Sequence, residues 1–190
     1  MGSLLPVPLK AKKRVPDFGE NDLSVVVIVT IADQTILFGA DLEETGDVDL
    51  GWSAIVELKE RPPGSAQIFK IPHHGSKNGH YQPVWNSMLI KNPIAILTPW
   101  SKGSGLPTGS DVARILSHTH SAYSTSGPSR LTKIQRPYAV EKQIKETVGD
   151  LHPIEQDMGW IRLRNGGSKN SAMWSVEMNG GACHLGNWRP

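Results

Sequence analysis

The chain has 190 residues, 38% apolar and 20% charged, which is enough to bury the core of one ordinary domain and argues against wholesale disorder. Twenty basic and 18 acidic side chains give a net charge of +2, too balanced to mark a nucleic-acid or membrane-surface protein by charge alone. The single cysteine, Cys183, excludes an internal disulfide framework and suits a reducing compartment.

Residues 1–20 read as an extended basic arm. Pro6, Pro8 and Pro16 break any helix there, and Lys10, Lys12, Lys13 and Arg14 lie between them. No apolar core of a signal peptide precedes a small-residue cleavage site, so a cytoplasmic location is the expectation. The most apolar stretch, Leu23 to Ala32, is about half the length a membrane-spanning helix needs, so no membrane partner is expected.

From Leu23 to Ile31 the chain is β-branched and nearly unbroken, which predicts a strand buried on both faces. A turn at Ala32-Asp33-Gln34 leads to a second strand, Thr35 to Phe38, hairpin-paired with the first. That strand runs into Gly39-Ala40-Asp41-Leu42-Glu43, which sets a carboxylate just past a strand end. Residues 51–60 have a helical pattern closed by Pro62-Pro63-Gly64. A third strand, Gln67 to Ile71, feeds the polar loop Pro72-His73-His74-Gly75-Ser76-Lys77-Asn78-Gly79-His80.

A short helix over Pro83–Ile90 carries proline in its first turn, and Ile94–Leu97 is a fourth strand. Ser110 is positioned to cap a helix through Leu116, and 138–148 is another helix ending at Gly149. Gly159–Arg164, Met173–Glu177 and Ala182–Leu185 read as terminal antiparallel strands. This order predicts a mixed α/β fold with both faces of a sheet covered.

Chemistry concentrates in the loop that carries three of the seven histidines. Neutral imidazole is the commonest metal ligand, and Pro72 and Gly75 make an abrupt loop that aims it. A strand-end carboxylate together with imidazole is half of a zinc or manganese site. Asp41 taken alone reads equally well as a loop stabiliser. His118-Thr119-His120 has His-x-His spacing but reads as the end of a helix rather than a ligand pair. Trp160, Trp174 and Trp188 alternate with Arg162, Arg164, Lys169 and Arg189, a pattern that packs an interface or stacks nucleic-acid bases. Gly166-Gly167-Ser168-Lys169 lacks the spacing of a phosphate loop and reads as a plain turn.

Three segments together carry a family resemblance: Glu20-Asn21-Asp22-Leu23-Ser24, Leu37-Phe38-Gly39-Ala40-Asp41-Leu42-Glu43, and Phe69-Lys70-Ile71-Pro72-His73-His74-Gly75-Ser76. Over about residues 20–105 the chain resembles the metallo-β-lactamase-fold hydrolases, in particular the hydrolase domain of bacterial competence (DNA-uptake) proteins. The resemblance implies an α/β (α+β) fold, the C-terminal half of a metallo-β-lactamase-like αββα sandwich spanning residues 21–190. It implies Asp41 as a carboxylate shared between two metals, zinc or manganese. It also implies His74, or else His73, as a histidine ligand, with Asn21, Ser76 and His80 in support.

The family's upstream His-x-His-x-Asp-His motif is absent from this chain, and the 20 residues before Asn21 are too few to hold it with its strands. Gly105-Leu106-Pro107 matches a later Gly-His-Pro-like motif without its histidine. The chain therefore reads as a split subunit, a truncated piece or a degenerate member. The expected function is a component of a metal-dependent hydrolase of phosphodiesters or related esters. The alternative is a non-catalytic interaction or structural subunit. A second protein chain or a homodimer is expected to cover an open sheet face, and nucleic acid is a further candidate ligand.

Overall fold

The computed structural model describes residues 19–62, 65–101, 105–128, 130–131, 135–149, 154–155, 157–165 and 174–188. Most of the expected basic arm, the Pro63-Gly64 stop, the Gly166–Lys169 turn and Arg189 lie outside them.

The fold is mixed α/β. The elements in chain order are β1 (Val27–Ile31), β2 (Gln34–Phe38), α1 (Gly51–Glu57), β3 (Ala66–Lys70), α2 (Gln82–Ser87), β4 (Leu89–Leu97), α3 (Gly109–His118) and β5 (Ala122–Ser124). There follow β6 (Arg130–Leu131), α4 (Tyr138–Thr147), β7 (Ile154–Glu155), β8 (Gly159–Asn165), β9 (Trp174–Gly180) and β10 (Cys183–His184). A six-stranded sheet has the order β1-β2-β3-β4-β5-β10. Its four central strands are parallel, and β1 and β10 are antiparallel edges. Strands β6 and β7 pair with each other, as do β8 and β9.

The predicted β1–β2 hairpin forms, with Ile31 opposite Gln34 across a two-residue loop. Ala32 at the loop's first position has φ 55°, the sign that tight hairpin turns demand. The first strand is shorter than its β-branched run suggests, and it is an edge rather than a centre. Val27 and Ile31 are 45% and 68% exposed. A continuous run of Val and Ile encodes extended backbone but does not reveal which faces find cover.

Cover comes on one face. Register places Leu37, Phe69, Ala95 and Ala122 in one row across β2–β5, and all four are buried. Helices α1, α2 and α3 pack Trp52, Val84, Val112 and Ile115 into the same cluster. Phe69 sits edge-on to both Trp52 and Trp85, with ring centroids 6.4 and 5.3 Å away. The opposite face carries Val27, Val29, Ile36, Phe38, Ile68, Ile94 and Ile96. Of these only Ile68 is buried, and Phe38 is 41% exposed. Helix α4 contributes no buried residue. Among the described helices, those that join the core all lie on the first face, whereas the order of elements predicts cover on both.

Three local features differ from the sequence reading for identifiable reasons. Strand β4 begins at Leu89, and Asn92 at φ 56° before Pro93 shifts its register against β3, so only Ile94–Leu97 reads as strand from sequence. Helix α3 is capped by Thr108, not Ser110: Thr108 Oγ1 accepts from the Asp111 amide, and the Asp111 carboxylate accepts from the Thr108 amide. Strand β5 is three residues long, too short to leave a periodic signal. Helix α4 ends as predicted, with Gly149 beyond it at φ 82°. No described helix is long and apolar enough to cross a membrane.

Candidate functional site

Parallel strands deliver their carboxyl ends to one edge of the sheet, where α/β folds place their sites. Here β2 ends in the Asp41 turn, β3 in the His73-His74 turn, and β4 in Thr98 and Trp100.

The first two turns are joined directly. The Gly39 amide donates to Lys70 O at 3.0 Å, and the His73 amide donates to Ala40 O at 3.1 Å. Gly39 is required at this junction, because a Cβ there would lie 2.9 Å from Pro72 Cβ and Cδ. Asp41 itself is exposed, while the next residue, Leu42, is anchored in the core. Lys70 faces the same carboxylate. Burial pulls its ammonium below the ordinary lysine range, and Asp41 pulls it back up.

His73, His74 and Gly75 all have positive φ, at 43°, 54° and 81°. Left-handed backbone at a non-glycine residue costs about 1–2 kcal/mol. The turn is held by Gly75 N to Pro72 O (2.9 Å), Ser76 N to His73 O (2.9 Å), and Arg114 Nη2 to Gly75 O (2.8 Å). Ser76 is buried, and its Oγ accepts from the Gly79 amide, so it holds the loop's shape.

Both imidazoles have their Nδ1 edge occupied. His74 Nδ1 lies 2.7 Å from Thr98 O. A carbonyl only accepts, so Nδ1 carries the proton and Nε2 is left with the lone pair. The His74 ring packs on Trp100 with centroids 5.3 Å apart. His73 Nδ1 lies 2.9 Å from Glu43 Oε1. That nitrogen is shut off from solvent and makes no hydrogen bond, so the contact with Glu43 is a close approach of charge to ring. Asn21 Nδ2 donates to the same Glu43 oxygen at 2.9 Å. The two rings are 6.1 Å apart.

Of the residues singled out from sequence, Asp41, His73 and His74 lie on adjoining turns at this edge, Asn21 reaches it through Glu43, and Ser76 lies just beneath it. His80 makes its ring contacts elsewhere. It stacks on His118 at 5.3 Å beside Trp85, and burial with Arg114 and His118 nearby lowers its pKa to about 4. His118 does end α3, but burial and Arg114 push its pKa down as well, so the ring packs as a neutral group. His120 is exposed, and its carbonyl accepts from His184 Nε2 at 2.7 Å. Trp160 lies under the Arg162 guanidinium, whose carbon is 4.9 Å from the ring centre, and the single Glu177 carboxylate pairs with both Arg162 and Arg164.

Glu43, Lys70 and Thr98 are site residues that the sequence reading missed. Glu43 stands two positions past Asp41 in the same turn, and that spacing was the only signal for it. Among the described residues no three or more His, Cys, Asp and Glu side chains converge as a metal-holding group. What the edge offers a metal is a pair of neighbouring imidazoles, one with Nε2 left free by its carbonyl anchor and the other with its Nδ1 edge against Glu43, with the exposed Asp41 on the adjoining turn and not grouped with them. No family model, curated protein or solved structure matches this chain.

Proposed function

We propose that this chain is a component of a metal-dependent hydrolase acting on phosphodiesters or related esters, and that it is similar to the C-terminal half of a metallo-β-lactamase-like αββα domain. The observation that carries this reading is the Ala40–His73 backbone bond, which sets the Asp41 turn against the strained His73-His74 turn at the carboxyl edge of the sheet. Asp41 and His74, with His73, would hold zinc or manganese. A metal so held would supply a water acidified toward neutral pH and charge stabilisation at the scissile group. The chain's own residues orient these donors. Thr98 fixes the His74 ring, Glu43 lies against His73, and the Lys70 ammonium, donating to Ile71 O, is near enough to Asp41 to feel its charge.

Two or three donors fall short of the three or four that a zinc site normally takes from protein. The remainder would come from a second chain bearing His-x-His-x-Asp-His, seated on the uncovered face of Val27, Ile36, Phe38 and Ile96. The test is native mass spectrometry with metal analysis on material purified from its source, followed by a phosphodiesterase assay. The reading expects a co-purifying chain, bound metal, and hydrolysis that Asp41→Ala abolishes while leaving the chain folded. Full activity in Asp41→Ala would refute the assigned role of the turn.

The same open face favours a second reading, an interaction or structural subunit without catalysis. Leu23, Val25, Val27 and Ile31 at the β1 edge are all well exposed, and neither charge nor proline interrupts Val25 to Ile31. A stable complex with no metal and no hydrolysis would select this reading.

A further inference from the structure

Glu43 is held from two directions before it reaches any histidine. Its carbonyl accepts from the Trp52 amide at 3.2 Å, and the preceding Leu42 carbonyl accepts from Trp52 Nε1 at 3.0 Å. Trp52 is fully buried, so the backbone of Glu43 is fastened to the core. Its side chain is fixed by Asn21, from a separate turn 22 residues earlier. The neighbouring Glu44 turns the other way and satisfies the Ser53 amide and hydroxyl at the start of α1, at 2.8 and 2.7 Å. Adjacent acids thus have different tasks, and only Glu43 faces the histidine turn.

The oxygen that Asn21 holds is the one 2.9 Å from His73 Nδ1. The Glu43 and His73 side chains are only 22% and 21% exposed. That nitrogen is enclosed and has no hydrogen-bond partner, so the carboxylate is the polar group at its edge. The His73 backbone is fixed as well, by Ala40 on one side and Ser76 on the other. A carboxylate held 2.9 Å from Nδ1 favours the proton on that nitrogen even without a full hydrogen bond, because a lone pair there would face the carboxylate's charge.

We propose that Glu43, held by Asn21, is a positioning residue that keeps the His73 ring as the Nδ1–H tautomer and presents Nε2 beside His74. Its link to catalysis rests on reading this edge as a hydrolytic metal site, but its hold on the ring does not. The site then has two imidazoles prepared in the same way, one by a carboxylate and one by the Thr98 carbonyl. His73 becomes a donor of equal standing to His74.

The test is imidazole 15N–1H correlation spectroscopy on the full chain at pH 8, in wild type, Glu43→Ala, Glu43→Gln and Asn21→Ala, followed by titration with zinc chloride. Wild type should show His73 protonated on Nδ1. Glu43→Ala should release the ring into a mixture of tautomers, with His74 unchanged. If Glu43→Ala does not fold, Glu43→Gln and Asn21→Ala carry the comparison with smaller shifts in the same direction. Zinc should perturb His73 Nε2 in wild type, and Glu43→Ala should need at least about tenfold more zinc for the same change. A wild-type His73 protonated on Nε2, or tautomer populations unmoved by all three variants, would overturn the proposal. So would equal zinc dependence at His73 in wild type and Glu43→Ala. If the tautomer responds to Glu43→Ala but zinc touches neither histidine even with the co-purifying chain bound, Glu43 keeps its role on the ring and the hydrolytic reading is the one that fails.

Discussion

Replacing Gly39 by alanine tests the junction on which the site depends. The added methyl would lie 2.9 Å from Pro72 Cβ, 2.9 Å from Pro72 Cδ and 3.0 Å from Lys70 O. None of these atoms is the end of a flexible side chain. Pro72 is buried with its φ locked by its ring, and Lys70 O is fixed by the Gly39 amide itself. Overpacking of this kind costs about 1–3 kcal/mol, and three simultaneous contacts on rigid atoms place Gly39→Ala near 2 kcal/mol. With a urea slope of about 2 kcal/mol/M, the midpoint falls by about 1 M. Gly127→Ala is the control: its added Cβ meets nothing within 4 Å, and its φ is ordinary, so it should move the midpoint by less than about 0.3 M. Relief requires the Asp41 turn to move away from the His73 turn, so the amide resonances of Asp41, His73 and His74 should shift while those of α4 stay fixed. Equal midpoints for the two variants, with unmoved histidine amides, would refute the close packing of the turns.

Two further outcomes follow from the packing around α3. His80 is neutral in the fold down to about pH 4, and His118 is lowered in the same direction, whereas both titrate near 6.5 when unfolded. The unfolded chain therefore binds more protons between these limits, so stability is full above pH 6.5 and declines as pH falls toward 4. Thermal melts at pH 7.5 and 4.5 should show this loss, and His80→Gln should reduce it. Thr108→Ala should cost about 1 kcal/mol by removing the α3 cap, while Ser110→Ala should stay within about 0.5 kcal/mol in the same denaturation assay.

The sequence made the hairpin, the third strand and the two polar turns legible because each is a local pattern: a β-branched run, a turn, then a glycine or proline stop. It also made legible that Asp41 and the histidines each follow a strand. Parallel pairing of β2 with β3 then brings them to the same edge. What could not be read is which strand lies at the edge. That depends on where cover is found, and Val27–Ile31 spells the same strand in either place. The cap of α3 was misread because Thr108 and Ser110 both suit a cap, and only the register of the first turn chooses between them. Glu43 is not distinguished in sequence because it is one of several acids, with Asp41, Glu44, Asp47 and Asp49, in a short span. Its partners, Asn21 and His73, are 22 and 30 residues away in the chain, a pairing that no local pattern announces.

The strain in the histidine turn connects these levels. In an extended segment, His73 and His74 would project to opposite sides, because successive side chains alternate. Two consecutive left-handed residues change that, and the rings of the adjacent histidines come to 6.1 Å on the same edge. Such backbone costs about 1–2 kcal/mol per residue, and a turn needed only to reverse the chain would use glycine or asparagine at no such cost. Here the cost is offset by the bonds from Ala40, Pro72, Ser76 and Arg114 that over-determine the loop. The apolar anchors beneath it, Leu97 and Ile115, lie close enough to Gly75 that a Cβ there would stand 3.1 Å from each. The fold commits core packing, a cation and several backbone bonds to keeping two imidazoles side by side. The same bonds tie the ends of β2 and β3 together, and they leave two imidazoles side by side, the arrangement the proposed shared ligand would need.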